Sequence, residues 1–210
     1  LRESDRVRDQ LTGLIWSQDA NPNGFPVTWQ EALDAIAAMN EENFLDCNDW
    51  RLPNRLELRS LMSYQSRKPS LPTGHPFVNV FLGWYWSATS AAINPAYAWY
   101  VHLEGARMFY GRKDQNYLFW PVRGASKGLL QRTGQRLCYE RRGQIIPCRG
   151  SGQDGEYQFG RPWPASRFVP EELTVLDRLT GLCWTRKTDM SNGPVSWQQA
   201  LDLIRDMNSS

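Results

Sequence analysis

The sequence predicts an α+β domain in which two helices are followed by a mainly antiparallel sheet. Three observations carry this. Residues 28–61 hold two helical periods, each opened by a capping signal. From Gly83 onward the apolar period changes from about 3.6 to two. Helical and extended segments do not alternate, so βαβ units are not expected.

The 210 residues include 24 basic and 22 acidic side chains, a net charge of +2, and 12% aromatics with ten Trp. So much bulky apolar material argues against disorder for most of the chain. No apolar run reaches the roughly 18 residues of a spanning helix, so no membrane span is expected. A net charge of +2 gives no reason to expect nucleic acid as a partner.

Residues 11–16 (LTGLIW) form a short apolar run after a Thr-Gly turn and are expected to be a strand. Thr28 followed by Glu31 is a capping box. Behind it Trp29, Ala32, Leu33, Ile36 and Met39 recur at helical spacing, which predicts a helix over 28–40. The second helix follows residues 50–61 (WRLPNRLELRSL). Pro53 suits the approach to a helix, Asn54 its cap, and Glu57 can reach back to that cap. Residues 66–76, with three prolines and a glycine, are expected to be loop. Strands are expected at 84–89, 97–103, 107–110 and 117–123, with turns at Gly105 and Gly111. Residues 125–176 have no helical period. Within them Cys138 and Cys148 bracket a stretch that reads as two short strands about an Arg-Gly turn.

Residues 9–16 (DQLTGLIW) recur as 177–184 (DRLTGLCW), and 26–40 recur as 194–208, at a constant offset of 168. Between 9–40 and 177–208, 16 of 32 positions are identical, and Glu3 and Val7 match Glu171 and Val175. The expected organisation is a first domain at 1–124, a hairpin-bearing connector at 125–176 and the opening of a second copy at 177–210. Because the partners of that second copy lie outside it, residues 177–210 are not expected to complete a domain.

The ordered motifs at 9–16, 28–40, 49–58 (DWRLPNRLEL), 85–89 (YWSAT) and 121–124 (PVRG) resemble the C-terminal domain family of the Legionella collagen-like protein. The resemblance covers about residues 7–124. It implies an exported or surface protein of bacteria, a distant likeness to C-type-lectin-like folds, and binding of sulfated glycosaminoglycans in adhesion. The chain lacks a collagen-like repeat, so trimerisation is not carried over. The compartment that the resemblance implies is oxidising, so Cys138 and Cys148 are expected to form a disulfide across their hairpin. Closing that 11-residue loop stabilises by roughly 2.5–3 kcal/mol on chain-entropy grounds. Cys47 and Cys183 are expected to be unpaired, Cys183 at the buried position of Ile15.

No catalytic residue, metal site or cofactor is expected. The only histidines, His75 and His102, have no ligand spacing, and Cys47 has no base placed beside it. Residues 150–154 (GSGQD) hold part of a calcium-repeat motif, but one copy cannot build the stacked site, and Asp154 is expected to close its own turn. Trp16, Trp29, Trp50, Pro53, Asn54 and Trp86 are read as structural, with Arg51 paired to a carboxylate such as Glu57. From Arg123 to Arg149 seven basic residues stand against Glu140 alone. Arg107, Arg112 and Lys113 lie near Tyr110 and Tyr117, and Arg136, Arg141 and Arg142 near the cysteines. Guanidinium forks suit sulfate and carboxylate, and aromatic faces suit sugar rings. The same charges also suit a solvated hairpin without ligand. The expected function is a non-catalytic surface module binding anionic polysaccharide. The alternatives are a structural repeat that spaces or displays other domains, and an enzyme with an unrecognised site.

Overall fold

A computed structural model describes residues 5–126 and 128–209; Glu3, and Lys127 of the seven basic residues between 123 and 149, lie outside them. The chain divides into two compact units, Leu1–Pro162 and Trp163–Ser210. The architecture is α+β.

The first unit opens with two strands that precede its helices, so the order is not simply helices and then sheet. β1 (Arg6–Arg8) pairs antiparallel with β2 (Ile15–Ser17), and β6 (Val122–Arg123) lies on the other side of β2. The strand expected from residue 11 starts only at Ile15 because 9–14 are the turn. The Asp9 carboxylate accepts from the Leu11 amide and the Thr12 hydroxyl, and Gly13 takes a left-handed φ of 80°.

α1 (Trp29–Glu41) begins with the expected capping box: the Thr28 hydroxyl accepts from Glu31 N–H, and Glu31 accepts from Thr28 N–H at 2.8 Å. Trp29, Ala32, Leu33 and Ile36 form its buried stripe. α2 (Arg55–Ser60) is capped by Asn54, which accepts from the Leu56 and Glu57 amides at 3.0 Å.

β3 (Trp84–Ser90), β4 (Tyr97–His102) and β5 (Arg107–Arg112) make an antiparallel meander. Its alternation divides the core. Tyr85 and Val101 join one apolar cluster with Trp16, Leu58, Leu61 and Trp120. Trp86, Ala88 and Ala98 join the other with Trp29, Leu33, Ile36 and Trp50.

Residues 117–123 are a strand only at 122–123. Tyr117 exchanges backbone hydrogen bonds with Val27, Leu118 with Trp84 and Trp86, and Val122 with Arg51. The segment is a seam serving three partners in turn, so no single ladder extends along it.

Beyond it lies a long excursion carrying β7 (Cys138–Tyr139), β8 (Ile145–Ile146) and α3 (Asp154–Tyr157). β7 and β8 pair antiparallel, and the Cys138–Cys148 disulfide crosses the hairpin with a Cα separation of 5.1 Å. The excursion is tied to the sheet. Asp154 accepts from the Thr89 and Thr133 hydroxyls at 2.7 Å each, so it does not close a turn of its own. Gln135 brackets Ser90, donating to its carbonyl and accepting from its amide. Its base is closed by Arg161 N–H on the Leu130 carbonyl at 2.8 Å and Arg132 N–H on the Arg161 carbonyl at 3.0 Å. A Cβ on Gly160, whose φ is +116°, would lie 2.6 Å from the Gln131 carbonyl carbon, so this approach requires glycine.

The second unit holds β9 (Phe168–Pro170), β10 (Thr174–Asp177), β11 (Cys183–Thr185) and α4 (Trp197–Ser209). The bounds of β11 and α4 stand 168 residues after those of β2 and α1, and Val175 pairs with Trp184 as Val7 pairs with Trp16. Asp177 repeats the Asp9 turn, accepting from Leu179 N–H and the Thr180 hydroxyl. It also takes both arms of Arg167, which hold its carboxyl far below the usual range. The apolar stripe is uncovered: Trp197 is 77% exposed and Trp184 57%, against 0% for Trp29 and Trp16. Cys183 is unpaired but exposed, contrary to the burial expected from Ile15, because nothing within this unit covers β11.

Candidate functional site

The residues read as structural form the inside of the first unit. Trp16, Trp29, Trp50 and Trp86 are buried, and three indoles donate to backbone carbonyls: Trp29 to Ser87, Trp50 to Phe44 and Trp86 to Val27. Arg51 and Glu57 form a two-pronged ion pair at 2.7 and 2.8 Å, with relative exposures of 4% and 1%. Glu57 also accepts from Asn54 N–H, and Arg51 donates to the Gly124 carbonyl. Pro53 contributes its carbonyl to Ala88 N–H. The 49–58 and 121–124 motifs thus meet, and Asp49 pairs with Arg123 at 2.6 Å beside them. Arg51 faces Phe159 at 4.1 Å on its other side.

The expected basic cluster is divided. Arg112, at the end of β5, and Arg141 and Arg142, at the tip of the disulfide hairpin, line one pocket of ≈500 Å³ with Asp114 and Glu140. Arg112 pairs with Asp114, and Arg141 stands 3.7 Å from the same carboxylate. Gly143 brings the hairpin there: its φ is +89°, and a Cβ would meet the Ala96 amide at 2.8 Å. Arg136 is exposed but does not line this pocket.

Lys113 departs from the expected exposed position. Its side chain is not on the exposed face but buried, with the ammonium 3.8 Å over the Trp29 ring and donating to the Tyr139 carbonyl at 3.2 Å. Burial brings its pKa down to about 7, with Glu140 pulling the other way. Its role is to anchor the hairpin to α1.

Arg107 faces a second depression, of ≈450 Å³, on the sheet. Cross-strand register places it beside His102, itself opposite Trp84, while Phe109 lies opposite Tyr100. These five side chains and Met108 line it. Tyr117 underlies the depression, stacked on Trp84 at 5.5 Å and packed on Trp86 at 4.3 Å. Tyr117 donates its hydroxyl to Gln115 and crosses Gly111, where a Cβ would lie 2.6 Å from its oxygen. Tyr110 stacks on Phe109 and meets Trp99 edge-on. Sequence reasoning missed Trp84, Tyr100, His102 and Phe109 as one group. The signal was the short 103–106 turn, which fixes the register of β4 on β5 and so brings Tyr100 and His102 beside Phe109 and Arg107.

Among the described residues no helix is long and apolar enough to cross a membrane, and no group of three His, Cys, Asp or Glu side chains is placed to hold a metal. No curated protein matches the sequence. The family model of the Lcl C-terminal domain matches residues 5–123. That span starts just before β1 and ends at β6, and so encloses both helices, the meander and the Arg51–Glu57 pair. The chain belongs to the Lcl C-terminal domain family.

Proposed function

We infer that the protein is a non-catalytic module of a bacterial surface or secreted protein, and that it binds anionic glycans. One observation carries the reading: Arg112, Arg141 and Arg142 converge from two separate segments on one open pocket. Planar guanidinium forks pair with sulfate and carboxylate groups. A disulfide-closed hairpin suits an oxidising compartment, which supports an extracellular, periplasmic or surface location. The distant likeness to C-type-lectin-like folds belongs to the same reading. Exposed ion pairs are individually worth under about 1 kcal/mol. Useful affinity therefore comes from several arginines together, or from several copies on one chain through effective concentration. Residues 177–210 are read as the opening of such a second copy, after a first domain at 1–124 and a connector at 125–176.

Chromatography on immobilised heparin tests this. The protein is retained at low salt and released steeply toward physiological ionic strength, because screening acts over about 8–10 Å. Arg141→Ala/Arg142→Ala weakens retention without lowering the melting temperature, and duplex DNA serves as the polyanion control. Unchanged retention in that variant and in Arg112→Ala refutes the assignment of binding to this pocket.

A second reading, a structural repeat that spaces or displays other domains, is favoured by a different observation. Asp114 and Glu140 line the same pocket and partly neutralise its arginines. Absence of retention at any salt supports it.

A further inference from the structure

We propose that the depression on β3–β5 is a sugar subsite in which a pyranose ring stacks on Trp84 and Phe109 while an anionic substituent of that ring is held by Arg107. The proposal rests on the glycan-binding reading and adds to it a second contact, separate from the arginine pocket of the hairpin.

The aromatic surface is open and fixed in place. Trp84 is 46% exposed and Phe109 55%. Trp84 is held from two sides, by Tyr117 stacked on it at 5.5 Å and by the edge of His102 at 4.9 Å. Phe109 is braced by Tyr110 at 4.6 Å with an interplanar angle of 12°. A platform whose rotamers are already locked loses little freedom when a ligand settles on it. Exposed rings gathered in one depression, unlike single exposed rings, are a feature of contact sites.

The polar groups sit at one edge of the platform. Arg107 forms no ion pair among the described residues; it donates from Nε to the Glu104 carbonyl at 3.3 Å and reaches the His102 ring at 3.3 Å. Its remaining guanidinium N–H groups are available to an anion. His102 Nδ1 accepts from Glu104 N–H at 3.0 Å, so the neutral ring carries its proton on Nε2. The neighbouring carboxylate of Glu104 pairs with Lys68 at 3.1 Å and Arg67 at 3.6 Å, and Arg107 acts on it only through the longer-range field. Apolar rings for the carbon face of a sugar and a guanidinium for its charged group are thus adjacent, within ≈450 Å³. Carboxylate on a uronate and sulfate ester on a neutral sugar share this chemistry.

The test uses the whole chain and three oligosaccharide probes: a hyaluronan hexasaccharide carrying carboxylates only, a keratan sulfate hexasaccharide carrying sulfates only, and neutral cellohexaose. Binding is followed by tryptophan emission and by calorimetry. One or both charged probes are expected to bind and change the emission, identifying the anion, while cellohexaose binds at least about tenfold more weakly. Trp84→Phe keeps binding but loses the emission change. Arg107→Gln, an exposed change, weakens binding by roughly tenfold or more with an unaltered melting temperature. Charged probes that bind equally well to Arg107→Gln and Trp84→Ala, and lose binding only in Arg141→Ala/Arg142→Ala, overturn the subsite while the glycan reading stands. Equal binding of cellohexaose overturns the role of Arg107. Failure of all three probes and of heparin overturns the glycan reading and the subsite with it.

Discussion

The Arg51–Glu57 pair supplies the sharpest test of how this domain is held together. Both side chains are almost wholly buried, and each carboxylate oxygen meets one guanidinium nitrogen. Glu57→Gln keeps the shape and one oxygen, which can still accept from Asn54 N–H and one guanidinium nitrogen, but it removes the charge opposite Arg51 and sets an NH2 group against the other guanidinium nitrogen. Removing one partner of a buried pair costs about 3–5 kcal/mol, because the survivor stays desolvated. That is a large share of the roughly 5–15 kcal/mol that keeps a domain folded. Arg51→Met is expected to cost a similar amount, leaving the carboxylate to the Asn54 amide. The double variant Arg51→Met/Glu57→Leu buries no charge and is expected to cost well under the sum, a coupling of about 3 kcal/mol. Urea unfolding followed by tryptophan emission measures all three, with an unchanged denaturant slope as the check on two-state behaviour. A Glu57→Gln midpoint within about 1 kcal/mol of the parent, or a double variant equal to the sum of the singles, refutes the argument.

Other outcomes follow from the same contacts. Lys113 has a folded pKa of about 7, below its unfolded value, so its contribution is lost as pH falls through 7 and grows as pH rises toward the unfolded value. Stability measured by urea unfolding should therefore climb between pH 7 and 9.5, and this rise should flatten in Lys113→Met; an identical slope in both proteins contradicts the assignment. Trp29→Ala should cost about 3–5 kcal/mol, whereas Trp197→Ala, at the matching but exposed position of α4, should cost less than about 1 kcal/mol; equal costs in calorimetry would mean that α4 is covered in solution. Gly160→Ala should open the Leu130–Arg161 closure, seen as faster amide exchange at Arg132 and Arg161, with the Trp29 indole and α1 unchanged.

What was legible in the sequence was local. The Thr28/Glu31 and Asn54/Glu57 pairs announce helix starts because capping acts over three residues, and both caps sit where the spacing places them. The hairpin between Cys138 and Cys148 is equally local. β1 escaped because Arg6–Arg8 has one apolar residue, and its pairing depends on the Asp9 turn. Lys113 was misplaced because a charge near a turn reads as solvated. Only the packing of the hairpin against Trp29 shows that it is enclosed. The division of the arginines between two sites likewise follows from which strand face each occupies and from where the hairpin tip docks. Neither is encoded in neighbouring residues. Asp154 is similar: its threonine partners are 65 and 21 positions away.

The closure at the base of the 131–161 excursion has a mechanical meaning whenever the chain is pulled along its length. Residues 130–132 and 161 are joined directly, so tension entering on one side and leaving on the other passes across two hydrogen bonds. The excursion stays outside the load path until those bonds, and its ties to Thr89, Ser90 and Lys113, part. When they do, the Cys138–Cys148 bond keeps the stretch between the cysteines from being drawn out. At about 3.5 Å per extended residue, the loop then yields about 75 Å instead of about 105 Å. Reduction of that single bond would turn a short tether into a longer one.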